Sequence, residues 1–565
     1  MPGIRIVEKI SKAYKDYGVP FSRYLATRIL PVALLLSFMS FWLIPTFLPI
    51  IKYLTFAKYA LYALPVYVTV AVFVYPITQA LKKRREIEER MHILVTRLAV
   101  MAEAGLPRDI IIRSIVEDPT YGEIAEVFRR VYMLVDKWKI SLARALRLVA
   151  EDVLSDVLRE FMNRFASALE VGEDLKEFFK KEQKVLLVEY ETRYRTSLEL
   201  AGVLREIYVS TVVSAMFLLS FLVIVPIIAG GDPLMFLFTG VLAYAFIEGL
   251  IYYFLQAVLP EEKLYGDPRE IPYQFDQILT RLYIPTTIVA SVMLGVMFYV
   301  IVPAGLFLKY WPAFISTSLS PLLIVGILIY KDEKRVRNRD KNYDSFLRVL
   351  GAAAIASAEG LVGAVERAMS HDFGELNTLI SNLHKRLKMR INKILSWQYF
   401  MDESGSWLIQ TYTRMFIDSV VAGGDPALIS KLVTENVSRT LSLRTERMSL
   451  VSNVTGILYG ISIGIAMSMG VLVQMMAMLN KTMSQVSLAG LPIQIPIFTV
   501  SYDIGITSFL VLSVIAVHAA FGSLIIRDMS GGHRYSSILH LVAMFWISST
   551  VYTIMQNVMS RILNI

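Results

Sequence analysis

The sequence predicts an all-α, polytopic membrane protein: about nine transmembrane helices carrying two helical-bundle domains on one side of the membrane. Three observations predict it. Of 565 residues, 55% are hydrophobic and only 19% charged, with a mean hydropathy of +0.53, where a soluble chain carries roughly a quarter charged residues. The apolar surplus is gathered into blocks of about twenty residues, the length a helix needs to cross a hydrocarbon layer about 30 Å thick. The charge is gathered into two long inserts between those blocks. A soluble enzyme, a disordered chain and a secreted domain are thereby excluded. The absence of cysteine excludes disulfides, iron–sulfur clusters, thiolate zinc sites and cysteine nucleophiles.

Residues 1–29 are too polar for a secretory signal, with Glu8 and Asp16 inside them. Lys9, Lys12 and Lys15 beside Ile6, Ile10 and Tyr14 predict a short amphipathic helix on the membrane surface. A transmembrane hairpin, 30–80, follows, with crossings at Leu30–Ile51 and Tyr59–Ala80. Residues 81–206 form the first soluble domain, holding 23 basic and 23 acidic residues. Its Arg90–Ala104 stretch has apolar residues at helical spacing, and Ala104-Gly105-Leu106-Pro107 is a C-cap glycine with a helix restart. Residues 207–330 hold four crossings, Ile207–Gly230, Pro233–Val258, Ile284–Ala304 and Trp311–Tyr330, with a short loop at 259–283. The second soluble domain, 331–448, holds 18 basic and 14 acidic residues. There Leu376, Ile380, Leu383, Leu387, Ile391 and Ile394 predict one continuous apolar stripe on a helix. Residues 449–565 complete the chain with crossings at Ser449–Leu479, Gly505–Ile526 and Ser536–Gln556. The first of these is longer than one crossing needs, so it tilts or extends into the interface.

Orientation follows from lysine and arginine, which cytoplasmic segments carry in excess. With the N-terminus inside and nine crossings, 52 of the 57 lie on the cytoplasmic side; Lys52, Lys58, Lys309, Lys481 and Arg561 lie outside. The N-terminus and both large domains are therefore expected in the cytoplasm and the C-terminus outside the cell membrane. The formal charge of +9 is this imbalance. A nucleic-acid partner is not expected, because no soluble face interleaves basic and aromatic residues.

The two inserts share a pattern, and an internal repeat alters the expected architecture. Ala102-Glu103-Ala104-Gly105-Leu106 corresponds to Ser357-Ala358-Glu359-Gly360-Leu361, Gly172-Glu173-Asp174 to Gly423-Gly424-Asp425, and Arg195-Thr196-Ser197-Leu198 to Arg447-Met448-Ser449-Leu450. Three matches in order at a nearly constant offset favour duplication.

These residues carry a family resemblance. Leu98-Ala99 with Ala104-Gly105-Leu106-Pro107, then Gly172-Glu173-Asp174-Leu175 ahead of a membrane helix, resembles the type II secretion system F domain. Two copies with extra flanking crossings resemble the archaeal branch, the FlaJ-like platform proteins of archaella and archaeal type IV pili. The resemblance covers roughly residues 81–230 and 331–479, and the second copy lacks the proline after Gly360-Leu361. It implies a non-enzymatic membrane platform that anchors a filament base. It also implies pilin or archaellin subunits and a hexameric secretion ATPase as partners, with the lipid bilayer around it and a homodimer as a further possibility. The chain has no G-x-x-x-x-G-K-[ST] phosphate loop, so such a motor is another polypeptide.

Enzyme signatures occur only in fragments. Gly460-Ile461-Ser462-Ile463-Gly464 fits the G-x-S-x-G pattern, but that elbow requires a strand-to-helix turn, and this one lies in a crossing. Gly456, Gly460 and Gly464 instead form a ladder that permits close helix packing; a serine protease pairing Ser462 with His518 or His540 is the sharper alternative. Ala229-Gly230-Gly231-Asp232 lacks the first glycine of the G-x-G-D aspartyl-protease motif and is expected to be a turn. The six histidines show no H-x-x-H spacing, so no metal site is expected, and no cofactor or catalytic residue is assigned. Glu248 is the carboxylate nearest the middle of a crossing, a functional candidate by default. It either bonds a neighbouring helix or serves as the coupling acid of an internal-repeat transporter. The basic run around Lys385, Arg386, Lys388, Arg390 and Lys393 is expected to form a positive helix face. That face is either a solvated or lipid-facing surface or the docking site for the motor ATPase.

Overall fold

The computed structural model describes residues 21–40, 55–229, 233–301, 307–357, 359–488 and 504–563. The expected surface helix around Lys9–Lys15, the Gly230–Asp232 turn and Ala358 lie outside them. Among the described residues the regular structure is helical, with one isolated bridge between Tyr265 and Ser406. Apolar α1 (Phe21–Phe38) starts ahead of the expected Leu30 and contains a π turn at Leu25–Ile29. Helix α2 (Thr55–Glu103) runs unbroken from apolar sequence into the first insert. Four helices follow: α3 (Arg108–Glu117), α4 (Glu123–Asp136), α5 (Leu142–Glu151) and α6 (Asp156–Val171). They lead into α7 (Leu175–Ala229), α8 (Pro233–Val258), α9 (Gln274–Ile301) and α10 (Phe307–Leu319). The second insert comprises the polar part of α11 (Leu322–Ile355), then α12 (Leu361–Ala368), α13 (Asn377–Lys388), α14 (Lys393–Ser404) and α15 (Trp407–Val421). Helices α16 (Pro426–Leu488), α17 (Ile504–Ser530) and α18 (Ser537–Leu563) close the chain.

Among the described residues seven helices are long and apolar enough to cross a membrane, or eight when α10 and α11 count as one span bent by 51°. That bend falls at Ser320-Pro321, where proline disfavours helical geometry in the residue before it. The seven, with the bent pair, match eight of the nine expected crossings. The other, Tyr59–Ala80, forms the first half of α2, where many side chains lie outside the described set.

The helix order repeats along the chain. Helices α2 to α7 recur as α11 to α16, with a 3-10 turn (Pro119–Tyr121, then Gly374–Leu376) after α3 and after α12. Gly105 and Gly360 both have positive φ, 71° and 61°, so the first turn survives the loss of its proline. Gly172 (79°) and Gly423 (97°) do the same after α6 and α15, where only glycine adopts this backbone without a Cβ penalty. In each repeat an N-cap serine, Ser155 or Ser406, donates its hydroxyl to a carboxylate on the long first helix, Glu88 or Asp340.

The chain divides into two compact units, residues 1–186 and 187–565. In the first, Leu94 and Leu98 of α2, Ile115 of α3, Phe128 of α4, Leu146 of α5 and Phe161 and Phe165 of α6 are buried. Phe165 and Phe179 stack edge-on at 4.9 Å between centroids. In the second, Phe346, Leu383, Trp397, Phe400 and Tyr412 fill the soluble bundle, and Val212, Leu458, Val511, Ile515 and Met544 fill the apolar one. Within that unit α7 and α16 are linked along their length by Glu191–Arg439 (2.9 Å), Arg195–Glu446 (3.0 Å) and Arg205–Asn453 (3.2 Å).

Candidate functional site

The intramembrane acid does not stand alone. Glu248 on α8 is fully buried and receives Tyr244 OH at 2.6 Å, one turn away on the same face. Tyr208 of α7 donates to both carboxylate oxygens at 3.1 Å, and His518 Nδ1 of α17 lies 2.9 Å from Oε1. The other ring nitrogen of His518 faces the Leu458 carbonyl of α16 at 3.2 Å. Both imidazole nitrogens thus face oxygen atoms of neighbouring helices. The cluster joins four helices at one closed point. A transporter reading requires access to the acid, and Glu248, His518, Tyr208 and Tyr244 are all buried.

Ser462 Oγ donates to the same Leu458 carbonyl at 3.0 Å. The serine and the histidine therefore share an acceptor instead of forming a nucleophile–base pair. His540 is engaged by Tyr459 OH at 3.1 Å. Among the described residues no cluster of three metal-ligating side chains occurs.

The glycine ladder corrects the packing expectation. A Cβ on Gly456, Gly460 or Gly464 would meet nothing within 4 Å, so among the described residues no helix makes the close approach there. Small side chains leave a hollow there instead. Gly460 and Gly464, with Val212, Met216 and Phe217 of α7 and Ile461 and Ile465 of α16, line an apolar cavity of about 570 Å³.

The basic run is corrected as well. It is not one helix: α13 ends at Lys388, Arg390 has φ +57°, and α14 restarts at Lys393 under an Asn392 cap whose Oδ1 accepts the Ile394 and Leu395 amides. The apolar stripe breaks with it, for Leu376, Ile380, Leu383 and Leu387 are buried whereas Ile391 and Ile394 are exposed. Lys385, Lys388, Arg390 and Lys393 are exposed. Arg386 is half-buried, pairs with Glu403 and lies over the Tyr399 ring at 5.2 Å.

One cluster was not anticipated from the sequence. Arg447, 2% exposed at the polar end of the apolar part of α16, donates to the carbonyls of Met529 (2.6 Å), Pro260 (2.7 Å) and Asp528 (3.0 Å). Asp528 and Met529 end α17, where free carbonyls and the helix dipole favour a cation. One turn earlier, Arg444 bridges Glu262 (2.6 Å) and Asp340 (2.8 Å). Burial pushes the Asp340 carboxyl up to about 6, against the pull of the Arg444 guanidinium and the Ser406 hydroxyl. Nearby, Asp402 accepts the amides of Arg269, Glu270 and Ile271 at 2.8–3.2 Å, and Tyr265 and Tyr273 donate to Asp332 at 3.0 Å. Glu333 accepts the His533 amide at 2.7 Å. The α8–α9 and α17–α18 loops are thereby pinned to the second helical repeat. The only prior signal was a buried-to-be arginine beside a predicted crossing, indistinguishable in sequence from an orientation anchor.

Comparison with known proteins follows the repeat. Residues 94–223 match the family model described as type II secretion system (T2SS), protein F, and thus the first copy. The chain is 30% identical over 509 residues to Flagella accessory protein J of Methanocaldococcus jannaschii, covering 89% of this chain and 90% of the relative. It is 27% identical over 562 residues to Flagella accessory protein J of Methanococcus voltae, covering 99% and 98%. No solved structure matches.

Proposed function

Because the chain belongs to the family of Flagella accessory protein J, membrane platform proteins of archaellum or type IV filament assembly, we propose that it takes work from a soluble hexameric secretion ATPase and applies it to the insertion of pilin-like subunits. The observation that carries this reading is the pair of unbroken helices α7 and α16. Each starts at the end of a helical repeat and continues into apolar sequence over 55 and 63 residues. At 1.5 Å per residue they are rods of roughly 80 and 95 Å, long enough to carry displacement from polar to apolar regions. The load is substantial. Withdrawing an apolar subunit helix of about twenty residues from a bilayer costs on the order of 6–12 kcal/mol.

On this reading the platform is not an enzyme, and the motor binds the cytoplasmic repeats. The exposed cations Lys385, Lys388, Arg390 and Lys393 offer it a positive surface, while Arg386 holds α13 to α14 through Glu403. Charge reversal of the four is expected to abolish co-purification with the ATPase while leaving membrane insertion intact. A strain lacking this protein is expected to make no filaments of the type it serves, with re-expression restoring them. A deletion strain that keeps every surface filament would refute the platform role.

A further inference from the structure

Among the described residues, two non-glycine residues have positive φ: Lys139 at 53° and Arg390 at 57°. They lie 251 residues apart, the separation of Gly172 from Gly423, and so occupy the same place in the two repeats. Each sits in a turn between paired helices, Lys137–Ser141 between α4 and α5 and, after Lys388 at the end of α13, Met389–Asn392 before α14. The turns match residue for residue. Lys137-Trp138-Lys139-Ile140-Ser141 aligns with Lys388-Met389-Arg390-Ile391-Asn392: a cation, a large apolar tip, a left-handed cation, isoleucine, and the N-cap of the next helix.

The backbone explains why this is unusual. Ile391 N–H reaches the Arg386 carbonyl at 3.1 Å and Arg390 N–H the Leu387 carbonyl at 3.0 Å, a closure whose left-handed position glycine normally fills. The first turn closes one residue wider, Ile140 N–H to Leu134 at 3.2 Å. Folding alone would favour glycine at Lys139 and Arg390 and a polar residue at the tips. Both copies instead keep a cation in the strained position and expose Trp138 (73%) and Met389 (66%). Among the described residues no ion pair engages Lys137, Lys139, Lys388 or Arg390.

Their placement argues against lipid headgroups. Helix α4 begins beside Lys83, past the apolar part of α2 (Lys83–Glu123, 3.2 Å), and α6 begins beside Arg84 (Arg84–Asp156, 3.1 Å). The intervening turn is thus the far end of an excursion about 20 Å long from the end of that crossing, the length of α4. The C-terminal end of α14 is held at the loop between crossings α8 and α9 through Asp402, so its Lys393 end lies most of a helix length, about 15 Å, from that loop.

We infer that each turn is a docking knob, its cations meeting an acidic surface of a soluble protein and its Trp138 or Met389 entering an apolar pocket there. Two equivalent knobs call for a partner that presents one surface more than once, as a ring of identical subunits does. The proposal rests on the ATPase reading above and assigns its contact points.

The test uses the full chain in phosphatidylcholine nanodiscs with the purified cognate ATPase, titrated across salt concentrations. Lys137→Glu with Lys139→Glu, Lys388→Glu with Arg390→Glu, Trp138→Ala and Met389→Ala are each expected to weaken binding about tenfold or more. The charge reversals should also flatten the salt dependence. Lys139→Gly with Arg390→Gly should melt higher than wild type yet bind more weakly, which separates docking from folding. Reversal of the exposed Lys184 and Lys431, outside the turns, should change affinity less than twofold. Wild-type binding that survives all turn variants, or falls equally in the controls, would overturn the knobs and leave the platform reading standing. No binding by the folded wild-type chain would remove the ATPase reading and the knobs together. Quenching of Trp138 fluorescence by brominated lipid would assign the turns to the membrane and overturn the proposal.

Discussion

At the scale of single residues, Arg447 is the side chain whose loss should be felt most. Its guanidinium satisfies three buried carbonyls and faces Glu262 at 4.0 Å. Arg447→Met leaves those acceptors and a carboxylate without their donor, and is expected to cost about 3–5 kcal/mol in denaturant unfolding of the nanodisc-held protein. Arg447→Lys should recover only part, because one ammonium does not reproduce the planar fork. The glycine ladder predicts the opposite sign. With nothing near their Cβ positions, Gly460→Ala and Gly464→Ala should each stabilise α16 by up to ~1 kcal/mol, whereas destabilisation would mean a helix from outside this chain packs there. Lys139→Gly should likewise add about 1 kcal/mol. The candidate sites were only half legible. Glu248 could be picked out as an acid in apolar sequence, but Tyr208 and His518 lie 40 residues before it and 270 after it on other helices, and only packing brings them together. Arg447 was one of many cations flanking crossings, and nothing local marks the one that is buried.

At the scale of elements, helix periodicity and glycine punctuation made the architecture readable. The Gly105, Gly172, Gly360 and Gly423 turns stand where the sequence placed breaks, because positive φ leaves few other residue choices. The same logic failed between α13 and α14. Lys388–Lys393 has no glycine or proline, so it read as continuous helix; the available signal was Asn392, a strong N-cap. Two elements carry further predictions. His92 is buried on α2, and burial pushes its imidazole down to about 3 from 6.5, against a hydrogen bond to the Glu89 backbone. Its folded form is neutral, so stability is full above pH 6.5 and declines as pH falls toward about 3, with about 2 kcal/mol lost by pH 5. Denaturant unfolding of the wild type should show this slope, and His92→Leu should remove it. If α16 acts as a rod, Ser449→Pro, exposed where the polar part of the helix meets the apolar part, should break it at a cost of about 3 kcal/mol. Filaments should then be lost while the protein still inserts; filament production at wild-type levels would show that continuity of α16 is not what transmits work.

At the scale of the whole molecule, the described contacts constrain how the second unit threads the membrane. Arg337 donates to the Ser530 carbonyl at 2.7 Å, Glu333 accepts the His533 amide, and Asp402 holds the 269–271 backbone. The α8–α9 loop, the α17–α18 loop and the polar parts of α11 and α16 therefore share one side of the bundle. Each pair of flanking helices must then cross and return, the parity that nine crossings provide. The same side collects most of the lysine and arginine, so the positive-inside rule predicts it to be the cytoplasmic one. Because the chain has no cysteine, single-cysteine variants read this out directly. Asp267→Cys, Lys388→Cys and Arg534→Cys should react with an impermeant maleimide only in inverted vesicles, and Lys481→Cys and Arg561→Cys only in right-side-out ones. Labelling of Arg534→Cys from the side of Lys481→Cys would contradict the same-side contacts of the two loops. Labelling of Arg561→Cys together with Arg534→Cys would mean that α18 does not cross, and would reduce the threading by one.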